Sequence, residues 1–206
     1  FFEQIAAFAA LKKMHPDTLL YLHTDDGTHG GEVVDLPLYC KRIGLVPGKD
    51  VIFAGQYHYA LGYPDSYMVD MYNSMDVMML ASMGEGFGIP LIEAQACGTP
   101  VITGEWTAMG ELVFGGWRIP KSEANPVYHD YFDAFQWQVT TQAVLERLLE
   151  AYDQRDNDAL RARARDGALK YDADRVTERY WKPVLESIDA LIHEKAPAVQ
   201  PVRVMA

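Results

Sequence analysis

Short apolar segments alternate with helical segments along the first part of the chain. Five of them, residues 18–24, 51–54, 76–82, 101–103 and 117–119, have the length and the aliphatic composition of buried strands. Strands that are apolar on both faces are typical of a parallel sheet covered by helices on both sides. We therefore predict an α/β fold with a Rossmann-like, doubly wound parallel sheet followed by C-terminal helices. In such a fold the ligand crevice lies at the carboxyl ends of the strands.

The composition excludes several classes of function. The 206 residues carry a formal net charge of −11, and so acidic a surface repels phosphate backbones, so a nucleic-acid partner is not expected. No apolar run reaches the ~18 residues of a transmembrane helix. Cys40 and Cys97 lie in apolar helical patterns without a C-x-x-C motif, which predicts two buried thiols in a reducing compartment. The predicted location is the cytoplasm.

A glycine-rich loop follows the third predicted strand. Gly84, Gly86 and Gly88 let the backbone approach a ligand closely and adopt positive φ. Pro90 opens the next helix, where its missing N–H costs little. The free N–H groups of that helix point at the loop and favour a diphosphate.

Two glutamates flank this corner. Glu85 lies in the loop, and Glu93 lies about one turn into the helix. A carboxylate near a helix N-terminus gains roughly 0.3–1 kcal/mol, which by itself explains Glu93 without a ligand. A carboxylate also accepts two hydroxyl hydrogen bonds. A ligand that has a diphosphate in the middle and hydroxyl groups at both ends is a nucleotide-sugar.

Residues 85–93 read E-G-F-G-I-P-L-I-E, and residues 96–102 read A-C-G-T-P-V-I. In this strand–loop–helix–strand context the segment resembles the E-x₇-E signature of retaining GT-B glycosyltransferases of the family 4, or group 1, type. The resemblance extends from residue 1 to about residue 185. Residues 51–55 resemble the strand before the family's base-binding turn, and residues 72–82 resemble its strand before the glycine-rich loop. The resemblance implies that the chain forms the donor-binding C-terminal half of a GT-B fold.

The resemblance also implies roles for individual residues. Glu85 would be the catalytic residue against the donor sugar, and Glu93 would hold the ribose hydroxyls. The other expected donor-binding residues are Gly86, Phe87 and Gly88 at the sugar, Ile89 and Leu91 at the diphosphate, and Gln56 and Tyr57 near the base. Neither a metal nor a cofactor is expected, because the nucleotide-sugar, such as a UDP-, GDP- or ADP-sugar, is a substrate.

The chain departs from the family pattern at three places. The family's C-terminal half opens with a strand followed by an Arg and a Lys, whereas this chain begins at the following helix. Lys12 and Lys13 lie at the far end of that helix and do not substitute for them. Residues 24–29 are longer and more acidic than the family's G-x-G turn. Residues 106–111 depart from the family's small-residue turn. The resemblance therefore gives little support for matching Glu111 to the last glutamate of the family pattern.

The expected organisation is a nucleotide-sugar-binding domain over residues 1–172, a C-terminal crossover helix over 173–195 and a loose tail over 196–206. The expected function is transfer of a sugar from the nucleotide donor to an acceptor with retention, in the manner of a hexosyltransferase. The partner would be a missing N-terminal GT-B domain, without which the chain is expected to be inactive. Peripheral membrane contact of the full enzyme is compatible with the sequence. The aromatic face of the helix over 173–195 is a candidate site of self-association.

Other interpretations remain open at the level of sequence. Gly84-x-Gly86-x-Gly88 with Glu105 is close to a dinucleotide-binding motif but is not G-x-G-x-x-G. Glu85 and Glu93 could form a glycosidase pair, although one loop–helix corner does not enclose a sugar ring. His23, Asp25, Asp26 and His29 could bind a metal, although Asp-Asp-Gly is more often a turn. A non-catalytic nucleotide-sugar-binding module and a GT-B nucleotide-sugar epimerase are further alternatives.

The stretch over residues 125–137 is longer and more aromatic than a turn requires. Burial of this loop against the core is the favoured interpretation, and a sugar-facing surface is the alternative.

Overall fold

The computed structural model describes residues 1–27 and 34–195. Backbone contacts divide the chain into two units, Phe1–Ala168 and Leu169–Ala206. The first unit begins with alternating helices and strands: α1 (Phe2–Met14), β1 (Leu20–Leu22), α2 (Leu36–Arg42), β2 (Val51–Phe53), α3 (Gln56–Leu61), α4 (Asp65–Asn73), β3 (Met78–Leu80), α5 (Ile89–Ala96), β4 (Val101–Gly104), a 3₁₀ helix (Thr107–Leu112) and β5 (Gly116–Ile119). It continues with a short 3₁₀ turn (Lys121–Glu123), β6 (Ala124–His129), β7 (Ala134–Val139), α6 (Thr141–Asp153) and α7 (Asp158–Ala168).

The five predicted strands are all present, and all their pairings are parallel. They form two sheets rather than one: β1 pairs with β2, and β3, β4 and β5 form a second sheet in that order. Within the described residues no strand ladder joins the two sheets. The prediction of one continuous sheet therefore needs this correction, while the α/β class with parallel strands is confirmed.

The break between the sheets has a topological explanation. In a doubly wound sheet of order 3-2-1-4-5-6, the first strand lies between the second and the fourth. The observed orders, β1 beside β2 and β3-β4-β5, match the two sides of such a sheet, in which β1 and β3 would flank that place and would not pair with each other. The burial pattern agrees with an open edge at β1, because all three residues of β1 are half-buried whereas all four of β4 are buried.

Both sheets nevertheless contribute to one hydrophobic core. Ile5 of α1, Val51 of β2 and Ile102 of β4 are each fully buried in the same cluster. Burying a side chain of this size stabilises the fold by roughly 1.5–3 kcal/mol. Cys40 is buried in this core, but Cys97 is only half-buried, so the expectation of two buried thiols holds for Cys40 alone. Both thiols are free.

Residues 124–139 form an antiparallel hairpin, not a loop buried against the core. Its two strands pair over six positions, from Ala124 opposite Val139 to His129 opposite Ala134. The ladder satisfies the hairpin's own backbone, so the tip needs no cover from the core. The aromatic side chains near the tip are exposed, and Tyr131 is 89% exposed. The favoured expectation of burial for this stretch was wrong.

The second unit is helical over its described residues. A 3₁₀ turn (Leu169–Tyr171) is followed by α8 (Ala173–Val176), a π-helical segment (Thr177–Trp181) and α9 (Lys182–Lys195). One row of large apolar side chains on this helical run is exposed, namely Tyr180, Trp181, Val184, Leu185, Ile188, Leu191 and Ile192. The predicted tail over 196–206 lies outside the described residues, and the predicted domain boundaries remain predictions. No helix in the described ranges is long and apolar enough to cross a membrane.

Candidate functional site

The candidate site lies where β3 ends and α5 begins. Residues 82–88 connect the two elements, and Gly88 precedes the first helical residue with φ 98° and ψ 49°. Glycine adopts this left-handed conformation most readily, and a Cβ there would lie 3.2 Å from Leu91 Cδ1. Gly88 offers no capping side chain. Pro90 has no N–H, and the Leu91 N–H donates to the Gly88 carbonyl at 3.0 Å, so Ile89 carries the first N–H of α5 at this end, where a helix N-terminus attracts an anion.

Trp106 and Thr107, in the turn after β4, form a clamp that holds this loop at two points. The indole N–H of Trp106 donates to the Ser82 carbonyl at 3.1 Å, and the backbone N–H of Glu85 donates to Thr107 Oγ1 at 3.2 Å. Thr107 has a φ of 52°, which is costly for a β-branched residue. Gly104 leaves room for the indole, since a Cβ there would lie 2.2 Å from Trp106 Cζ2. Sequence reasoning missed this clamp, because a bond from a side chain to a distant backbone leaves no pattern in residue spacing.

Glu93 lies on the exposed side of α5, one turn from the loop. The Tyr72 hydroxyl, which reaches it from α4, donates to Glu93 Oε2 at 3.0 Å. Burial of Tyr72, together with the charge of Glu93, raises the pKa of that hydroxyl well above its usual range. Tyr72 therefore stays protonated and keeps donating. The Glu93 carboxylate is fixed in orientation and can still accept hydroxyl hydrogen bonds from a ligand.

Gln95 anchors the other side of α5. Its amide nitrogen donates to the carbonyls of Leu91 and Leu112 at 2.8 and 2.7 Å, and its amide oxygen accepts from the N–H groups of Phe114 and Gly115 at 2.8 and 3.0 Å. The residue is completely buried. Three of the four bonds hold the helix against residues 112–115, the segment that leads into β5, so the helix is rigidly placed.

The structure brings seven of the predicted site residues together at one corner. Glu85 is half-buried, and Leu91 is buried in the core, with its N–H donating to the Gly88 carbonyl at 3.0 Å. Gly86, Phe87 and Ile89 are exposed around the corner. This corner contains Glu85, Gly86, Phe87, Gly88, Ile89, Leu91 and Glu93.

Gln56 and Tyr57 lie in the first turn of α3, beyond a strand of the other parallel sheet. The Gln56 amide oxygen accepts from the Asp26 N–H at 3.1 Å, and its nitrogen donates to the carbonyls of Thr24 and Ala54 at 3.2 and 2.7 Å. Gln56 therefore ties the segment after β1 to the end of β2. Tyr57 is 74% exposed and remains accessible to a ligand.

An aromatic cluster at the same end of β1 was not predicted. Tyr21 contacts His23 through a 3.2 Å hydrogen bond and Tyr67 through a 3.4 Å one. Tyr63 stacks on Tyr67 with ring centroids 4.2 Å apart, and His23 lies 5.3 Å from the Tyr63 ring and 5.5 Å from the Tyr59 ring. Burial lowers the pKa of His23, which favours a neutral imidazole among these rings. The only sequence signal was the density of tyrosine over residues 57–67.

The hairpin borders the glycine-rich loop. The Trp137 N–H donates to the Met83 carbonyl at 3.3 Å. A Cβ added to Gly84 would lie 3.6 Å from Gln136 Nε2 and 3.6 Å from Thr107 Cγ2. Both Thr107 of the clamp and Gln136 of β7 therefore lie close to the loop at Gly84.

The remaining predicted positions lie elsewhere. Within residues 1–27 and 34–195, no three or more His, Cys, Asp or Glu side chains are grouped as a metal site would need. Of the four residues considered for a metal, His29 lies outside the described residues. Glu111 is exposed in the 3₁₀ helix after β4.

Comparison with known proteins agrees with this geometry. The profile of the family described as "Glycosyl transferases group 1" matches residues 5–126. D-inositol 3-phosphate glycosyltransferases are similar at 29% identity over 112 residues in Arthrobacter sp. and 30% over 115 residues in Corynebacterium jeikeium, each match covering 54% of this chain. The chain spans about a quarter of the length of these relatives, 25% and 26%.

Solved structures share the fold. The C-terminal domain of the glycosyl transferase group 1 family protein LpcC from Francisella tularensis has a TM-score of 0.53 at 24% identity, over 87% of this chain and 78% of that one. A glycosyltransferase from Rickettsia africae has a TM-score of 0.61 at 16% identity, over 94% and 45%. Anabaena HepE in complex with UDP-glucose has a TM-score of 0.55 at 16% identity, over 89% and 52%.

These likenesses identify the fold as that of a GT-B C-terminal domain. The family profile covers more than half of the residues. The chain therefore belongs to the group 1 glycosyl transferases.

Proposed function

We propose that this chain binds a nucleotide-diphosphate sugar and presents it for retaining transfer to an acceptor, as the donor half of a family 4 hexosyltransferase. The observation that carries the proposal is the corner at residues 85–93. There a glycine-rich loop ends on an uncapped helix N-terminus, and a carboxylate held by Tyr72 lies one turn further along. An anion-binding helix N-terminus beside a hydroxyl-binding carboxylate suits a diphosphate joined to a ribose.

In this proposal, different residues of the corner bind different parts of the nucleotide-sugar. The N-terminal end of α5, at Ile89 and Leu91, receives the diphosphate, and Glu93 accepts the ribose hydroxyls. The backbone at Gly86, Phe87 and Gly88 contacts the sugar, and Glu85 lies against it as the catalytic residue. Gln56 and Tyr57 lie towards the base, with Tyr57 the more accessible of the two.

The proposed catalysis uses positioning and preorganised N–H donors, which stabilise charge on the departing diphosphate. A partner domain outside this chain would supply the acceptor site and further basic residues. HepE, a protein of the same fold, was crystallised with UDP-glucose, which supports a donor of this chemical class.

Thermal-shift measurements test the donor proposal. UDP-, GDP- and ADP-sugars, together with NAD, are titrated against the wild-type chain, Glu93→Ala and Glu186→Ala, an exposed glutamate on α9. We expect at least one nucleotide-sugar to raise the melting temperature of the wild type and of Glu186→Ala, and to have a much smaller effect on Glu93→Ala. Stabilisation by NAD and by no nucleotide-sugar would overturn the proposal in favour of a dinucleotide site.

A second experiment tests whether transfer requires a partner domain in addition to this chain. The 206-residue chain is incubated with a nucleotide-sugar that it binds, and the products are resolved by mass spectrometry. We expect no transfer from the chain alone and transfer once the partner domain is present. Turnover by the chain alone contradicts this requirement, an epimerised sugar points to an epimerase, and binding without transfer in the full protein points to a non-catalytic module.

A further inference from the structure

The hairpin presents one face to the glycine-rich loop. In an antiparallel ladder, residues directly opposite each other share a face, so Val127 and Gln136 lie on the same side. Gln136 marks this side as the one that meets the loop, because its Nε2 would lie 3.6 Å from a Cβ added to Gly84. The bond from the Trp137 N–H to the Met83 carbonyl fixes the register between β7 and the loop.

Two glutamines on this face have different surroundings. Gln138 donates to Glu3 Oε1 at 2.6 Å and so links β7 to α1. Gln136 is half-buried as a residue, and its side-chain amide makes no hydrogen bond to any residue in the described ranges. A partly desolvated amide without a protein partner keeps both a donor and an acceptor available for a ligand.

The position of Gln136 indicates which part of the nucleotide-sugar it would contact. It lies beside Gly84, at the β3 end of the loop and next to Glu85, whereas the diphosphate end of the corner lies beyond Gly88 at the start of α5. An amide that can both donate and accept matches a hydroxyl group, which also does both. A site that hydrogen-bonds a hydroxyl discriminates strongly against analogues that lack it.

We propose that Gln136 is a specificity-determining residue that hydrogen-bonds a hydroxyl group of the transferred sugar. This inference rests on the proposed donor function. It assigns to β6–β7 the role of a wall for the sugar part of the donor, beside Gly84.

The test separates the sugar from the nucleotide. Dissociation constants are measured by calorimetry for UDP and UDP-glucose, GDP and GDP-mannose, and ADP and ADP-glucose, with the wild-type chain, Gln136→Ala, Gln136→Glu and Gln142→Ala. The last variant removes an exposed glutamine on α6 that bonds Glu146. Circular dichroism and melting temperature verify that each variant is folded, and the isosteric Gln136→Glu keeps the side-chain volume while replacing the N–H donors.

We expect the free nucleotide to bind all four proteins equally. For the nucleotide-sugar, the ratio of its dissociation constant to that of its nucleotide should rise about tenfold in both Gln136 variants, which corresponds to the loss of one hydrogen bond, and stay constant in Gln142→Ala. An unchanged ratio in folded Gln136 variants overturns this inference and leaves the donor proposal intact. Failure of the wild type to bind any of the six compounds overturns the donor proposal, and this inference with it.

Discussion

The carboxylate of Glu93 is held by a tyrosine from a different helix. Tyr72 lies on α4, is 5% exposed and donates to Glu93 Oε2. Its raised pKa means that the hydroxyl remains a donor at every pH at which the protein would be assayed. If Glu93 binds ribose as proposed, a preoriented carboxylate loses less conformational freedom, so we expect Tyr72 to contribute to affinity without touching the ligand.

Replacing Tyr72 with Phe should weaken nucleotide binding. The substitution removes one hydrogen bond to a charged group and keeps the ring, so we expect a roughly 3- to 10-fold higher dissociation constant. Calorimetry with the nucleotide that binds the wild type measures this change. Tyr131→Phe, at the exposed hairpin tip, should leave affinity unchanged, and equal affinities for Tyr72→Phe and wild type would show that Glu93 needs no support.

Asp50 should make stability depend on pH in the acid range. Its Oδ2 accepts from the Val46 N–H at 2.9 Å and its Oδ1 lies 3.4 Å from Lys12 Nζ. These two contacts lower the pKa of the carboxyl below its usual value, although burial opposes them. A group whose pKa is lower in the folded state stabilises the fold above its unfolded pKa of about 3.9, and this contribution disappears as the pH falls through the folded value.

Urea unfolding of wild type and Asp50→Asn at neutral pH and below pH 4 tests this effect. We expect Asp50→Asn to have a lower free energy of unfolding than wild type at neutral pH. This difference in free energy should become smaller at the lower pH. Asp166→Asn, an exposed control on α7, should not alter the pH dependence. A difference of the same size at both pH values would show that the ionised carboxylate is not the stabilising form.

Single residues differ in how far the sequence reveals them. Glu85, Gly88 and Glu93 could be proposed from the sequence because a loop–helix corner is local, and nine consecutive residues carry its whole pattern. Tyr72 and Trp106 were not, because each acts through one contact to a residue 21 or 24 positions away. Such contacts depend on the packing of elements, which the spacing of residues along the chain does not encode.

Among the secondary-structure elements, the strands were predictable and the hairpin was not. β2 through β5 are short apolar runs bounded by turns, so their hydrophobicity alone identified them. In β6–β7 the aromatic residues near the tip suggested a buried loop, whereas Tyr128 and Phe135 form an exposed cross-strand pair with ring centroids 5.4 Å apart. Cross-strand aromatic pairing stabilises a hairpin without a core beneath it.

The helical run over residues 173–195 should mediate self-association. Its exposed apolar side chains include Leu185 and Ile188, and burying each would contribute roughly 1.5–3 kcal/mol. Sedimentation velocity over a range of concentrations should show association of the wild-type chain, weakened at least tenfold by Leu185→Glu or Ile188→Glu. Glu186→Lys changes a charge on the same helix as a control, and a wild type that is monomeric throughout would contradict the expectation.

For the molecule as a whole, the fold class followed from the sequence, but the division of its parallel strands into two sheets did not. Hydrophobic patterning identifies which segments are strands and says little about which strands pair. Pairing depends on the order of strands in space, and the interruption between β1 and β3 leaves no mark in the residues of either strand. The shared core of the two sheets shows that side-chain packing holds this unit together where backbone pairing is interrupted.

The open edge of β1 has a consequence for hydrogen exchange. Successive N–H groups of a strand point to opposite sides, and the Leu20 N–H donates to the Asp50 carbonyl on the β2 side at 3.1 Å. The Tyr21 N–H therefore points away from β2, towards the edge that no described strand covers. In deuterated buffer the Tyr21 amide should exchange much faster than that of Leu20, as nuclear magnetic resonance can measure residue by residue. Equal protection would mean that the edge is already covered, so this pair of amides reports whether another strand has joined the sheet.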